Sequence, residues 1–395
     1  MAITNRVPIH SLGISQIISF GLLFYVFAQL KIPLAASLGV TETDVLYAIS
    51  GSMFLQAVMA PKIGAWIDRF GALYVMWRGL VLGAFGMAML PLVDHIFWLW
   101  CCMVPIGIGF AMSFYETAFS AAVQMDEPNA RKNISYITFY GGVASSITWL
   151  TIAPLLGLHG LGATCGVIAA VLVGMAARVR YLDRLYQSDR SATSYTPPEF
   201  NWGILNQNEK KAIVALATSA TLEYLVFAST TLLWINWFSI QFNDMGLAVI
   251  LASIYGPFQV VGRVLEMRYG HHIDGRITGS AAFICIPLAL TLAQSSSVPM
   301  VVVAMAVFGI GHGILTVTFG YVTNMFFRAD VYGRAKGLIV MPRGVGNAIG
   351  PSVGGILFMT GHQAFFAVMI GLSICSMISF LTLLKLKTRD QLPNA

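Results

Sequence analysis

Long apolar stretches, separated by short polar loops, fill almost the whole chain. A helix needs about 20 apolar residues to cross the ~30 Å hydrocarbon core of a bilayer. By that measure the sequence predicts twelve membrane-spanning helices, which we call spans 1 to 12. Their ranges are 9–33, 43–63, 72–92, 96–123, 133–157, 160–180, 210–238, 246–269, 278–295, 298–325, 333–358 and 363–386. The pattern therefore predicts an all-α membrane protein.

One polar stretch, 181–208, is longer than the other loops and contains Pro197 and Pro198 together with several charged residues. Prolines and charges at this density are typical of a linker. Six spans precede this stretch and six follow it. The sequence therefore predicts an N-terminal six-helix bundle at 1–180, a cytoplasmic linker at 181–208 and a C-terminal six-helix bundle at 209–395.

Composition favours the same class. Hydrophobic residues make up 57% of the 395 residues and charged residues only 10%, against about 25% in soluble domains. The formal net charge of +6 would suit a nucleic-acid-binding protein, but the basic residues are spread thinly between apolar stretches. We therefore expect contact with a lipid bilayer and none with nucleic acid. The five cysteines all lie in apolar stretches without a histidine at metal-ligand spacing, so we expect no metal site.

The distribution of Lys and Arg predicts the orientation in the membrane. Every second loop carries basic residues, whereas we assign to the opposite loops Lys31 and no other Lys or Arg. Because basic loops stay on the cytoplasmic side, both termini are expected there. Short loops without glycosylation signals on the outer side favour a bacterial inner membrane.

The two halves of the chain resemble each other. Span 4 contains Gly107-Ile-Gly-Phe110 and span 10 contains Gly309-Ile-Gly-His312, at an offset of 202 residues. Two parallel six-span repeats are one of the recurring architectures of secondary transporters.

The loop between spans 2 and 3 carries a distinct signature, Gly64-x-x-x-Asp68-Arg69-x-Gly71, and Arg78 follows in span 3. Gly64 would allow close helix approach, and Gly71 would permit a tight reversal. The Asp68 carboxylate would accept hydrogen bonds from the N-terminus of a neighbouring helix. We interpret these five residues as a conformational latch at the membrane surface.

This signature resembles the loop between helices 2 and 3 of the major facilitator superfamily of secondary transporters. The family pattern continues with basic residues, where this chain has Ala72 and Leu73. The resemblance implies two pseudo-symmetric six-helix bundles. It also implies a central cavity lined by helices 1, 4, 7 and 10, and transport of a small molecule by rocking between two states. Spans 1, 4, 5, 7, 8, 10 and 11 carry polar stripes and spans 3, 6, 9 and 12 are nearly featureless, which agrees with that assignment.

Ionisable residues inside spans are candidates for function, because each costs at least about 2.5 kcal/mol to insert. Glu223 in span 7 and Glu116 in span 4 are candidate proton carriers, since burial favours the neutral form of a carboxyl group. Alternatively, each hydrogen-bonds to nearby polar side chains. His312 in span 10 titrates near neutral pH in water, which suits proton coupling, but a single membrane histidine is often a packing residue.

Three further charged residues lie in spans 8 and 11. Arg263 and Glu266 are three residues apart on one helix face and would form a structural ion pair. Alternatively, Arg263 binds a substrate carboxylate while Glu266 exchanges a proton. In having an arginine on helix 8, the chain resembles the oxalate/formate and monocarboxylate branches of the superfamily. Arg343 is a second anion ligand or the partner of an acid. Polar and aromatic residues expected to complete the binding site are Gln259, Tyr255, Asn347 and Trp234.

These residues predict a secondary active transporter that moves a small organic anion together with protons and functions as a monomer. An alternative is efflux of amphipathic cations, with the acids binding the cargo and Tyr115, Trp234 and Tyr255 lining the site. A third, from another class, is a receptor on the same fold that does not transport. No Gly-rich phosphate loop is present in the sequence, and the loops are too short for a catalytic domain. We therefore predict neither an enzyme nor a cofactor.

Overall fold

The computed structural model describes residues 8–126, 130–186, 202–270, 273–327 and 329–388. The chain divides into two compact units, Met1–Ser194 and Tyr195–Ala395. The boundary falls inside the stretch 181–208 that we predicted as a linker.

The N-terminal unit contains eight α-helices in the described ranges. They are α1 (Ile9–Phe20), α2 (Phe27–Leu38), α3 (Glu42–Phe70), α4 (Ala72–Met89), α5 (Ile96–Ser113), α6 (Tyr115–Met125), α7 (Ala130–Gly142) and α8 (Ala144–Leu185). Helix α8 is interrupted at Gly160, whose φ of +73° ends one span and starts the next. Its last turns extend beyond the predicted end of span 6.

The C-terminal unit also contains eight α-helices in its described ranges. They are α9 (Gln207–Thr231), α10 (Trp234–Phe242), α11 (Met245–Ser253), α12 (Tyr255–Tyr269), α13 (Gly275–Leu292), α14 (Val298–Phe326), α15 (Ala329–Thr360) and α16 (His362–Leu381). A 3₁₀ turn, Thr382–Lys385, follows α16.

All twelve predicted spans are helical where the structure describes them. Nine helical stretches among these residues are long and apolar enough to cross a membrane. One of them, Tyr136–Leu185, holds most of span 5 and all of span 6. Spans 2 and 11 correspond to α3 and α15, which are 29 and 32 residues long. The predicted class, an all-α multi-pass membrane protein, is confirmed.

Spans 1, 4, 5, 7 and 8 are each broken into two helices, whereas spans 9 and 12 are single helices. In span 1 the break is a π-helical segment, Gly21–Tyr25. Such a segment leaves backbone groups without helical partners, and these must be satisfied inside the protein. The Trp149 indole N–H donates to the Tyr25 carbonyl at 2.9 Å, and Gln29 Nε2 donates to the Trp149 carbonyl at 3.0 Å. A buried side chain of span 5 therefore stabilises the irregular segment of span 1.

Small residues bring helix pairs together in both units. In the C-terminal unit, Gly346, Gly350 and Gly354 of α15 face α9, and Ser229 Oγ donates to the Gly350 carbonyl at 2.7 Å. In the N-terminal unit, a Cβ on Gly109 would lie 2.5 Å from the Gly83 nitrogen. Close backbone approach of this kind is a usual form of helix packing in membranes. The glycine seam of span 11 is thus a helix-packing surface.

The assignment of Lys31 to a loop was wrong. Pro33 does not end the helix, because α2 continues to Leu38 and stops at Gly39, where φ is +63°. The Lys31 side chain is fully buried, with Nζ 4.0 Å from Glu42 Oε2. Lys31 is therefore buried within the helix α2, whereas the charge pattern predicted that it lies in a loop.

Candidate functional site

A buried acid and a buried histidine lie together in the C-terminal unit. Glu223 of α9 is 1% exposed and His312 of α14 is 6% exposed. Glu223 Oε1 lies 3.3 Å from His312 Nδ1. The other carboxylate oxygen, Oε2, has no hydrogen-bond partner among the described residues. The two sequence candidates for proton coupling in spans 7 and 10 are therefore in direct contact.

Two phenylalanine rings lie parallel to the histidine ring of this pair. Phe227 stacks on the His312 ring, with centroids 3.8 Å apart and 2° between the planes. Phe308 is parallel to both Phe227 and His312, with centroids 6.5 Å away from each. Phe227 lies four residues after Glu223, and Phe308 lies four residues before His312, so each phenylalanine shares a helix face with an ionisable residue.

Phe308 also connects two predicted binding residues to the pair. The Phe308 ring is T-shaped relative to Trp234, with centroids 5.5 Å apart, and relative to Tyr255, with centroids 5.8 Å apart. Trp234 and Tyr255 are both buried, at the starts of α10 and α12. Trp234 Nε1 has no hydrogen-bond partner among the described residues. The breaks in spans 7 and 8 thus place both aromatic side chains against α14.

Helix α12 carries three further candidates, all buried. The backbone of α12 at Gln259 lies directly against Gly313 of α14. A Cβ added to Gly313 would be only 2.2 Å from the Gln259 carbonyl oxygen. Gln259 Nε2 has no described hydrogen-bond partner. The Arg263 guanidinium lies within electrostatic range of His312. Glu266 accepts a hydrogen bond from Thr278 Oγ1 of α13 at 2.9 Å, and its pairing with Arg263 stays a prediction.

Helix α15 contributes Arg343 and Asn347, both half-buried. The Arg343 guanidinium lies over the Tyr224 ring, 4.7 Å from its centroid. Tyr224 follows Glu223 in α9, and its ring centroid is 6.2 Å from that of His312. Tyr224 therefore lies between the second predicted anion ligand and the acid–histidine pair.

The candidates in the N-terminal unit lie in a different environment. Glu116 is exposed in the first turn of α6, just after the break at Phe114. Beside it, Phe20, Phe24, Phe110 and Phe114 form an aromatic cluster, in which Phe20 and Phe114 have centroids 4.4 Å apart. Phe110 takes the repeat position of His312, at the offset of 202. The N-terminal repeat is therefore aromatic where the C-terminal repeat is ionisable.

The predicted latch residues surround the reversal between α3 and α4. Gly71 adopts φ of +89°, as the predicted tight turn requires. No described atom lies within 4 Å of a Cβ built on Gly64, so the close approach predicted there is absent from the described residues. Arg69 is exposed, 5.1 Å from the Phe70 ring centroid, and Arg78 lies over the Tyr74 ring at 3.4 Å. The Asp68 side chain lies outside the described residues.

A glutamine that sequence analysis did not select holds this reversal. Gln124 of α6 accepts a hydrogen bond from the Ala72 backbone N–H at 2.9 Å, at the first residue of α4. Its amide also donates to the Ile67 carbonyl at 3.5 Å. The N-terminus of α4 is therefore bound to a side-chain oxygen from α6.

Sequence reasoning also missed Tyr224, Phe227 and Phe308. The signal was present in their spacing, since two of them lie four residues from an ionisable candidate and Tyr224 is adjacent to one. A phenylalanine in a membrane span is ordinarily a lipid or packing contact, so this spacing did not select them. Among the described residues, no three His, Cys, Asp or Glu side chains converge as a metal site.

Comparisons with known proteins agree with this architecture. Residues 212–395 match the family model described as Major Facilitator Superfamily. No curated protein matches the chain in sequence. The structure of a bacterial homolog of the human lysosomal transporter Spinster, described as inward-facing and occupied, has a TM-score of 0.71 and 12% identity over 98% of each chain. The nucleoside transporter NupG has a TM-score of 0.69 and 15% identity over 96% of this chain and 99% of that chain.

The chain has the major facilitator superfamily fold. The resemblance drawn from the span 2–3 loop is thereby confirmed, by the family model for the C-terminal half and by the fold along the length. Identities of 12% and 15% to the solved transporters establish the fold alone.

Proposed function

We propose that this major facilitator protein is a secondary active transporter that couples a small organic anion to protons. The observation that carries the proposal is the buried contact between Glu223 and His312. A buried carboxylate is unfavourable unless it is protonated or paired with a cation. This pair therefore exchanges a proton at a defined place inside the C-terminal unit.

The proton and the cargo are linked through competition for positive charge. When Glu223 is ionised, its carboxylate faces His312 and lies near the charge of Arg263. When Glu223 takes up a proton, the positive charge of Arg263 attracts another anion more strongly. An organic anion thus binds more tightly to the protonated site, which is the differential affinity that coupling requires.

The anion ligands in this proposal are Arg263 and Arg343. Guanidinium groups bind carboxylates in a bidentate manner and stay charged at any physiological pH. Gln259 Nε2, a buried donor without a described partner, is suited to a third hydrogen bond. Glu116, exposed in the N-terminal unit, is a secondary candidate for the proton pathway. We further propose alternating access, a bacterial inner-membrane location and function as a monomer.

Efflux of amphipathic cations is the second candidate. The observation that favours it is the group of aromatic rings beside His312, the partner of Glu223, since aromatic faces also suit a flat organic cation. In that case Glu223 contacts the cargo directly, and the arginines are not needed for binding. The nucleoside transporter among the similar structures adds uncharged aromatic compounds to the panel that a test must contain.

The test is flux into proteoliposomes under an imposed pH gradient, with small organic anions, cationic dyes and nucleosides as cargo. We expect anion flux in the wild type, loss of at least about tenfold in Arg263→Ala and Arg343→Ala, and loss of pH coupling without loss of exchange in Glu223→Gln. Asp94→Asn, which changes an exposed acid of the N-terminal unit, is the matched control and should keep its coupling.

Three outcomes separate the candidates. Dye flux that survives both arginine changes but disappears in Glu223→Gln would replace the anion proposal with cation efflux. Nucleoside flux that is insensitive to the pH gradient would overturn both proton coupling and the anion assignment. Tight ligand binding without flux of any panel member would favour the receptor hypothesis.

A further inference from the structure

A groove of about 420 Å³ lies between the first turns of α9 and the end of α16. It is lined by Lys210, Lys211 and Val214 of α9 and by Ser379 and Leu386 from the other side. Two lysine side chains thus line one depression together with aliphatic side chains. This groove lies apart from the Glu223–His312 site, at the N-terminal end of α9.

The walls of the groove are fixed by hydrogen bonds. Ser379 Oγ donates to the backbone of α9 at 3.1 Å. Arg276, at the start of α13, donates through NH1 to the Leu386 carbonyl at 2.9 Å. The Lys387 backbone N–H donates to Asn208 Oδ1 at 3.2 Å. The segment after α16 is therefore bound at several points to α9 and α13.

Two carboxylates on the elements that hold this groove are already engaged. Glu209 is buried, and its side chain accepts a hydrogen bond from the Asn206 backbone N–H at 2.9 Å as part of the helix cap. Both Asp274 carboxylate oxygens accept hydrogen bonds from Arg276 Nε at 3.0 Å. Lys385 and Lys387, both exposed, add positive charge on either side of Leu386. The rim of the groove is therefore positively charged.

An apolar surface continues from the groove along the two helices. Val214 is 58% exposed and lies three residues after Lys211, on the same face of α9. Ile374 and Ile378, one turn apart on α16, are also exposed. Both helices are among the stretches able to cross a membrane. The lysines thus lie where α9 leaves the hydrocarbon, and the exposed aliphatic side chains lie within it.

We propose that this groove binds an anionic phospholipid, with the phosphate at Lys210 and Lys211 and the acyl chains along the exposed face of α9 and α16. Basic pockets between helices at the cytoplasmic surface are suited to acidic headgroups. A soluble phosphate would use the lysines but not the aliphatic wall, whereas a phospholipid uses both. The proposal does not depend on the identity of the cargo.

The experiment measures lipid binding to the purified full-length protein in non-ionic detergent by native mass spectrometry. Phosphatidylglycerol is titrated against phosphatidylcholine of the same chain length. We expect the wild type to prefer phosphatidylglycerol. The double variant Lys210→Gln/Lys211→Gln should bind it about 10- to 30-fold more weakly, since each of the two lysines contributes a similar share of the binding free energy. Phosphatidylcholine binding should be the same in both proteins.

A matched control removes two exposed charges elsewhere, in Lys62→Gln/Arg268→Gln, and should change phosphatidylglycerol binding less than about twofold. Val214→Gln keeps both lysines but makes the wall polar, and should also weaken lipid binding. The proposal is overturned by equal losses in the two double variants, by a wild type without preference for the anionic lipid, or by equally effective competition from soluble glycerol 3-phosphate.

Discussion

The rings of Phe227 and His312 lie parallel, 3.8 Å apart between centroids. This stack holds the imidazole in one plane while Nδ1 faces the Glu223 carboxylate. Because Phe227 and Glu223 lie on the same face of α9, one helix supplies both the ring that orients the histidine and the acid that pairs with it. The orientation of His312 is therefore determined by α9.

We expect Phe227→Leu to lower coupled transport about 2- to 10-fold, since a favourable aromatic pair contributes roughly 0.5–1.5 kcal/mol. The measurement is initial flux per folded molecule in proteoliposomes. Phe283→Leu is the matched control, because Phe283 is also fully buried but packs on Phe319 and Phe380, away from the pair. Equal flux losses in the two variants would show that the stack has no specific role.

We expect Gly350→Ala to destabilise the C-terminal unit. A Cβ there would lie 2.7 Å from Ala228 Cβ and 2.9 Å from the Leu225 carbonyl oxygen, so α9 and α15 must separate. Overpacking of this kind costs about 1–3 kcal/mol. Thermal unfolding in detergent measures the effect. Gly371→Ala in α16, where no described atom lies within 4 Å, should leave the midpoint unchanged or raise it.

We expect Trp149→Phe to destabilise the N-terminal unit by about 1–3 kcal/mol, because the buried Tyr25 carbonyl loses the indole donor. Thermal unfolding again provides the measurement. Trp98→Phe, a similar change at an exposed tryptophan, controls for the loss of an indole. A Trp149→Phe midpoint equal to that of the control would mean that the π-helical segment does not need this hydrogen bond.

We expect Asp274 to make stability depend on pH in the acid range. The Arg276 side chain, by donating hydrogen bonds to the carboxylate, lowers the pKa of Asp274 below its ordinary value of 3.8, and burial opposes this only partly. Because the folded-state pKa is the lower one, the carboxylate stabilises the fold above the unfolded pKa. That contribution is lost as the pH falls through the folded pKa.

Asp274→Asn should therefore unfold at a lower temperature than the wild type from about pH 7 to pH 5, and the difference should shrink below about pH 4. The measurement is the thermal unfolding midpoint of both proteins at pH values from about 7 to below about 4. Arg276→Gln removes the donor and should show the same loss of pH dependence. A difference between wild type and Asp274→Asn that persists unchanged at low pH would contradict it.

Several features of the molecule follow from local sequence alone. A span is recognised from about 20 consecutive residues, because apolar side chains are favourable in the hydrocarbon core whichever residues they contact. The tight turn at Gly71 and the glycine seam of α15 were predictable for a similar reason, since a missing Cβ has local consequences. Lys31 shows the limit of this reasoning, because a Lys two residues before Pro33 was assigned to a loop, whereas the helix continues to Leu38.

The candidate site depended on the tertiary structure. Glu223 and His312 were each recognisable as ionisable residues in apolar spans, but they are 89 residues apart in the chain, and several other charged residues were equally available as partners. Only the packing of α9 against α14 decides that these two meet, and only the breaks in spans 7 and 8 bring Trp234 and Tyr255 to Phe308. Hydropathy is a property of each residue and its neighbours in sequence, whereas a contact is a property of two helices. The sequence by itself therefore determined the class, the spans and the list of ionisable candidates, and the tertiary structure decided which of them form a site.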